Sequence, residues 1–184
     1  MAKTKKSVKA LIREARLPER TVSVCLNAAL VAEIEQAERD LADAQQRASD
    51  TLAGDPRVRE IAERIEALRQ RMRDHTVDFR LRAMPRPQWR ALIDDHPPRK
   101  ADDGSVDERD KYIGVNVDDF FPALIRASVV EPELDDEDWS LLLDEKLTDR
   151  QFDALSDAAW GLNRREVDVP FSPAASRILA SGPE

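Results

Sequence analysis

A chain of 184 residues holds one domain or two small ones, and an apolar content of 41% affords a lean core while standing well above disordered compositions. Charged residues at 36%, aromatics at 5% and only 5 glycines fit helices with large solvated faces and exclude a turn-rich all-β fold. The single cysteine, Cys25, excludes an internal disulfide framework, and no apolar run approaches the ~20 residues of a membrane span.

The net charge of −8 is unevenly spread. Residues 1–20 carry seven Lys or Arg against two Glu, net +5, whereas residues 112–147 carry ten Asp or Glu against Arg126 and Lys146, net −8. The start, with Lys3, Lys5, Lys6 and Lys9, lacks the apolar segment of a secretory signal, so a reducing cytoplasm is the expected address. Residues 1–19 read as a flexible basic arm. Such an arm could meet nucleic acid by charge, but it has no aromatic to stack on a base and the acidic remainder would repel phosphate, so this partner is disfavoured.

From residue 20 the pattern becomes regular. Thr21 to Leu26 alternates, placing Val22, Val24 and Leu26 on one face of a strand. Asn27 is a suitable cap for the helix that follows, with Leu26 placed to staple onto Val31. Leu30, Ile34, Ala37, Leu41, Ala44 and Ala48 then recur at steps of four and three along one helical seam. Val58, Ile61, Ile65, Leu68, Met72 and His75 do the same on a second helix. Between them, Ala53-Gly54-Asp55-Pro56 offers a glycine to end one helix, an aspartate to cap the next and a proline for its first turn. An antiparallel hairpin follows, in preference to one unbroken coiled coil. After it, Thr76 to Arg82 alternates again, with Val77, Phe79 and Leu81 on one side. The hairpin brings the two strands together, so residues 20–83 read as a β-α-α-β unit with a two-stranded ribbon at its base. A two-stranded ribbon is marginal alone, so its apolar face must lie on the helices that follow or on another chain, and a homo-oligomer stays open.

Residues 84–166 read as a small acidic bundle of about four short helices packed around the tryptophans and phenylalanines. Trp89, Leu92, Ile93 and His96 share a face that Pro97 and Pro98 end. Residues 99–111 are polar enough to predict a mobile loop. Phe121, Leu124, Ile125 and Val129 make the next stripe, with Asp118 and Asp119 at its start. Asp135 caps a helix carrying Trp139, Leu142 and Leu143, and Thr148 with Gln151 forms a capping box before Phe152, Leu155, Ala159 and Leu162. Residues 167–184, with Pro170, Pro173 and Pro183, read as an extended tail whose Val167, Val169, Phe171, Ile178 and Leu179 are too apolar to be idle. The fold expected is therefore mainly α: a helical hairpin on a β ribbon, plus a small helical bundle.

Little in the chain suggests catalysis. His75 and His96 stand in no metal-binding spacing, Cys25 has no histidine at catalytic spacing, and every glycine is isolated, which excludes a phosphate loop. The acids Asp135, Asp136, Glu137 and Asp138 lack the calcium-loop pattern and are accounted for by helix capping. No catalytic, metal or cofactor residues are assigned, and a non-enzymatic protein is expected.

Four segments carry a resemblance: RTVSVCLNAALVAEIEQAERDLADA, TVDFRLRAMPRPQWRALIDDHPPR, FFPALIRASVVEPELDDEDW and LTDRQFDALSDAAWGLNRR. Together they resemble the tail assembly chaperones of long-tailed phages and prophages of high-GC Gram-positive bacteria, over about residues 20–165. The resemblance implies a non-enzymatic protein of the bacterial host cytoplasm that binds the long helical tape-measure protein during tail assembly and helps bring tail tube subunits to it. It supplies no motif for the contact residues. On physical grounds, the candidates are grooves flanked by Phe120, Phe121, Trp139 and Trp160, and the tail around Val169 and Phe171, with core packing as the competing role for each. Two other classes stay open: a structural component of the tail or its connector, and a small regulator using the basic arm on nucleic acid.

Overall fold

A computed structural model describes residues 7–49 and 57–164 of the chain. The predicted reversal at Ala53–Pro56, Lys3, Lys5 and Lys6 of the arm, and the tail with Val169 and Phe171 lie outside the described residues. The fold is mainly helical with one small antiparallel sheet, as the hydrophobic periods predict.

In chain order the elements are α1 (Val8–Glu14), β1 (Glu19–Cys25), α2 (Ala29–Ser49), α3 (Arg57–Asp74), β2 (Thr76–Arg82), α4 (Arg86–Asp94), α5 (Glu108–Ile113), α6 (Val117–Ser128), β3 (Val129–Glu131), α7 (Asp136–Leu141) and α8 (Asp149–Arg164). A π-helical turn, Leu142–Lys146, continues α7. Helices α2 and α3 pack along the predicted seam: Leu30, Ala37, Ile65 and Leu68 are buried, with Ile34, Leu41, Ile61 and Met72 around them. The ion pairs Arg71–Glu33 at 3.6 Å and Arg69–Glu38 at 3.3 Å climb one helix as they descend the other, so the two run antiparallel. Both pairs are exposed and add little; the apolar seam holds the hairpin. His75 leaves that seam. It is an exposed turn residue between α3 and β2, because the chain abandons the helical period after Asp74, and its Nδ1 lies 2.8 Å from the Arg71 carbonyl.

Strand β1 pairs β2 antiparallel from Glu19↔Arg82 to Cys25↔Thr76, which puts Val22, Val24, Val77, Phe79 and Leu81 on one face. Among the described residues the sheet has three strands, in the order β1-β2-β3, where two were expected. The third begins at Val129, a residue the apolar stripe assigns to a helix. Pro132 explains the change: it has no N–H for the Ser128 carbonyl and its ring would clash there, so the chain extends and pairs Leu81↔Val129 instead. On the polar face Arg80 joins both neighbouring strands, meeting Glu19 at 2.9 Å and Glu131 at 2.7 Å. Arg80, then Arg82, hold the Glu19 carboxyl below the usual carboxylate range.

The ribbon does not form a unit with the hairpin helices alone. Val24, Phe79 and Leu81 share one core with Phe120, Leu124, Ile125, Trp139 and Leu155, while α2 and α3 keep a separate seam. A two-stranded ribbon cannot stabilise itself, and it becomes one wall of the helical head. Helix α8 fastens to it through the capping box. Gln151 Oε1 accepts from the Thr148 amide at 3.0 Å, while Gln151 Nε2 donates to the Cys25 carbonyl at 2.7 Å. Gln151→Ala should cost about 1–2 kcal/mol, since it removes a cap and leaves a half-buried carbonyl unpaired; a urea midpoint shift with unchanged slope would show it.

Candidate partner-binding clefts

The most closely tied polar group of the head is Asp110, which is fully buried. Its carboxylate accepts from the Arg99 amide at 2.8 Å, Arg99 Nε at 2.9 Å, Arg99 Nη2 at 2.8 Å and the Val117 amide at 3.1 Å. Arg99 also pairs with Asp118, which receives Arg109 at 3.2 Å. The Arg99 guanidinium holds the Asp110 carboxyl well below the usual carboxylate range. With both oxygens doubly occupied, this group neither takes nor gives a proton near neutral pH; it is a clamp. It also gives residues 99–111, expected to be a mobile loop, defined local structure. Lys100 pairs with Val106, α5 starts at Glu108, and Gly114 ends that helix at φ 84°, a left-handed conformation suited to glycine. Polarity there reflects an internal ion pair as well as solvent.

The two histidines are each engaged with a main-chain carbonyl, His96 Nδ1 lying 2.7 Å from Leu92 O. Cys25 is half-buried beside the carbonyls of Asn27 and Met72. Among the described residues no three His, Cys, Asp or Glu side chains converge, and no helix is long and apolar enough to cross a membrane.

The aromatic candidates divide. Phe120 is fully buried and meets Trp89, His96, Phe121 and Trp160 edge-on at 5.5–5.9 Å. Trp139 is buried as well. Both are core residues in the folded head, so neither presents a surface to a partner. Phe121 and Trp160 are half-buried and line an open cleft of ≈ 430 Å³ together with Tyr112, which is 96% exposed. Arg164 lies over the Trp160 ring, 5.1 Å from its centroid. Val169 and Phe171 lie outside the described residues.

A more apolar cleft, of ≈ 530 Å³, opens where the ribbon meets α7. Its floor is Val77 and Phe79; its walls are Leu26, Pro132, Leu134, Leu141 and Leu142, with Asp138 and Lys146 at the rim. Leu26, in the bend after β1, and Leu141, at the end of α7, are 39% and 44% exposed. A second cleft, ≈ 590 Å³, lies past the β1–α2 elbow and includes Val24, Cys25, Val31 and Met72. Leu26 lines the first of these clefts and Val31 the second. Strand β1 is an edge of the sheet among the described residues, and its outward Cys25 carbonyl is occupied by Gln151.

Sequence reasoning missed Leu26 and Leu141 as surface. One signal was available: Leu141-Leu142-Leu143 are consecutive, and three successive helical residues sweep about 200°, so they cannot all face one core. No known family description, characterised protein or solved structure matches this chain.

Proposed function

We propose that this protein is a non-catalytic tail assembly chaperone that holds a helical stretch of a phage tape-measure protein and keeps it soluble. The observation carrying this reading is the apolar cleft at Leu26, Val77, Phe79, Leu134 and Leu141, with Asp138 and Lys146 at its rim. A long helical chain without its tail exposes apolar stripes that aggregate, and a helper needs an apolar groove on a body charged enough to keep the complex in solution. The excess of Asp and Glu, giving a net charge of −8, supplies the second property. The resemblance of residues 20–165 to tail assembly chaperones supports the same reading.

Co-expression with the tape-measure gene of the same phage or prophage tests it. The tape measure should move from the insoluble to the soluble fraction and elute with the chaperone. Leu141→Glu, at an exposed position that leaves the core intact, should cut the soluble fraction several-fold while the variant itself stays folded by circular dichroism. Unchanged tape-measure solubility with the wild-type chain, and no shared elution, would overturn the assignment.

A further inference from the structure

Helix α8 ends on the wall of a cleft. Asp157, Trp160 and Arg164 share one face of that helix and, with Tyr112, Ile113 and Phe121, line the ≈ 430 Å³ opening. Ile113, Phe121 and Trp160 are half-buried and pack against the main core, whereas Tyr112 is 96% exposed. The cleft is thus an apolar breach between α5, α6 and α8 with its outermost aromatic in water. We propose that the segment directly after Arg164 folds back into this cleft of its own chain, seating Val169 and Phe171 against Tyr112 and Trp160.

Continuity, reach and pattern select this occupant. Arg164 is both the last described residue and part of the lining, so the chain leaves α8 at the cleft itself, and residues 165–184 follow. From Asp157 to Arg164 the helix advances about 10.5 Å. If three residues, Arg165 to Val167, are spent on reversing direction, Asp168 to Phe171 still span about 13 Å, enough to run the length of the lined face. The sequence alternates there: Val167, Val169 and Phe171 fall on one side of an extended segment, Asp168 and Pro170 on the other, and Pro170 disfavours helical backbone at Val169. One apolar edge thus meets one apolar cleft. Charge does not oppose the contact, because Asp157 and Arg164 balance in the lining. Tethering holds the segment at an effective concentration on the order of millimolar, so a modest contact is populated ahead of the same segment of another copy or of a dilute partner. The contact is separate from the chaperone reading, whose cleft shares no lining residue with this one.

Tyr112 is the only tyrosine, so the 184-residue chain grown on fluorotyrosine carries one fluorine, at the cleft. Its resonance should move between light and heavy water by only a small fraction of the shift of free fluorotyrosine. In the same chain with Val169→Asp and Phe171→Asp that shift should grow several-fold, to the free value. Neither position belongs to the described cores, so the head stays folded, which circular dichroism checks. Ile178→Asp with Leu179→Asp, further along the tail, should leave the shift as in wild type. A wild-type shift equal to that of free fluorotyrosine, an unchanged shift in the Val169 and Phe171 variant, or an equal rise in the Ile178 and Leu179 variant would each overturn the proposal. Shielding that grows with protein concentration would give the cleft to the tail of a second copy, and shielding that arises only once a tape-measure segment is added would give it to that partner; either result also overturns it.

Discussion

Phe120→Ala should destabilise the head by about 3–5 kcal/mol, a large part of the total for a domain whose margin is of order 5–15 kcal/mol. Phe120 has no exposed surface and sits at the centre of the aromatic cluster, with Phe121 at 5.5 Å and Trp89, His96 and Trp160 each at 5.9 Å. Truncation removes the transfer energy of the ring, leaves a void that rigid aromatic neighbours cannot fill, and loses several edge-to-face contacts. Urea unfolding followed by tryptophan fluorescence measures it, because Trp89 and Trp160 both touch the ring. Phe120→Leu, which keeps most of the burial, should cost less than half as much. Tyr112→Ala, at a residue 96% exposed, should change stability by no more than about 0.5 kcal/mol. Equal effects at positions 120 and 112 would show that the aromatic cluster is not the centre of the core.

Asp110→Asn should be the most disruptive polar substitution in the head. It preserves shape but replaces one oxygen by an amide N–H₂, and either oxygen faces two donors: Arg99 Nη2 and the Val117 amide on one, the Arg99 amide and Nε on the other. Two donors then meet a donor in a buried place, and the guanidinium loses the buried one of its two counter-charges, keeping Asp118. Thermal melting should fall by several degrees more than for Asp103→Asn, whose carboxylate accepts only from Ser105 on an exposed turn. The pH dependence has a fixed sign. Asp110 is depressed below the ordinary value of 3.8, so the unfolded chain binds its proton first as pH falls. Its contribution is complete above that ordinary value and is lost as pH drops below it toward the depressed native value. The melting-temperature gap between wild type and Asp110→Asn should therefore be wide at pH 7 and narrow below pH ~3.5. A gap independent of pH would mean that the charge of Asp110 contributes nothing.

Local order along the chain was legible in the sequence wherever a pattern fixes a neighbour within one turn or one strand. The seam from Leu30 to Ala44, the alternation at Val77, Phe79 and Leu81, the Asp135 cap and the Thr148–Gln151 box all depend on short separations, and the structure contains each of them. Partnership between distant segments was decided only by the tertiary fold. Nothing local says that Arg99 folds over Asp110, that Val129 leaves a helix to pair with Leu81, or that Gln151 reaches Cys25 across 126 positions. The same holds for the surface: Phe120 and Leu141 are equally apolar in the sequence, yet one is sealed at the centre of an aromatic cluster and the other stands 44% exposed at the mouth of a cleft. Side-chain chemistry sets what a residue prefers to touch, but burial is a property of everything packed around it, and that exists only once the ribbon, α6, α7 and α8 have closed on one another.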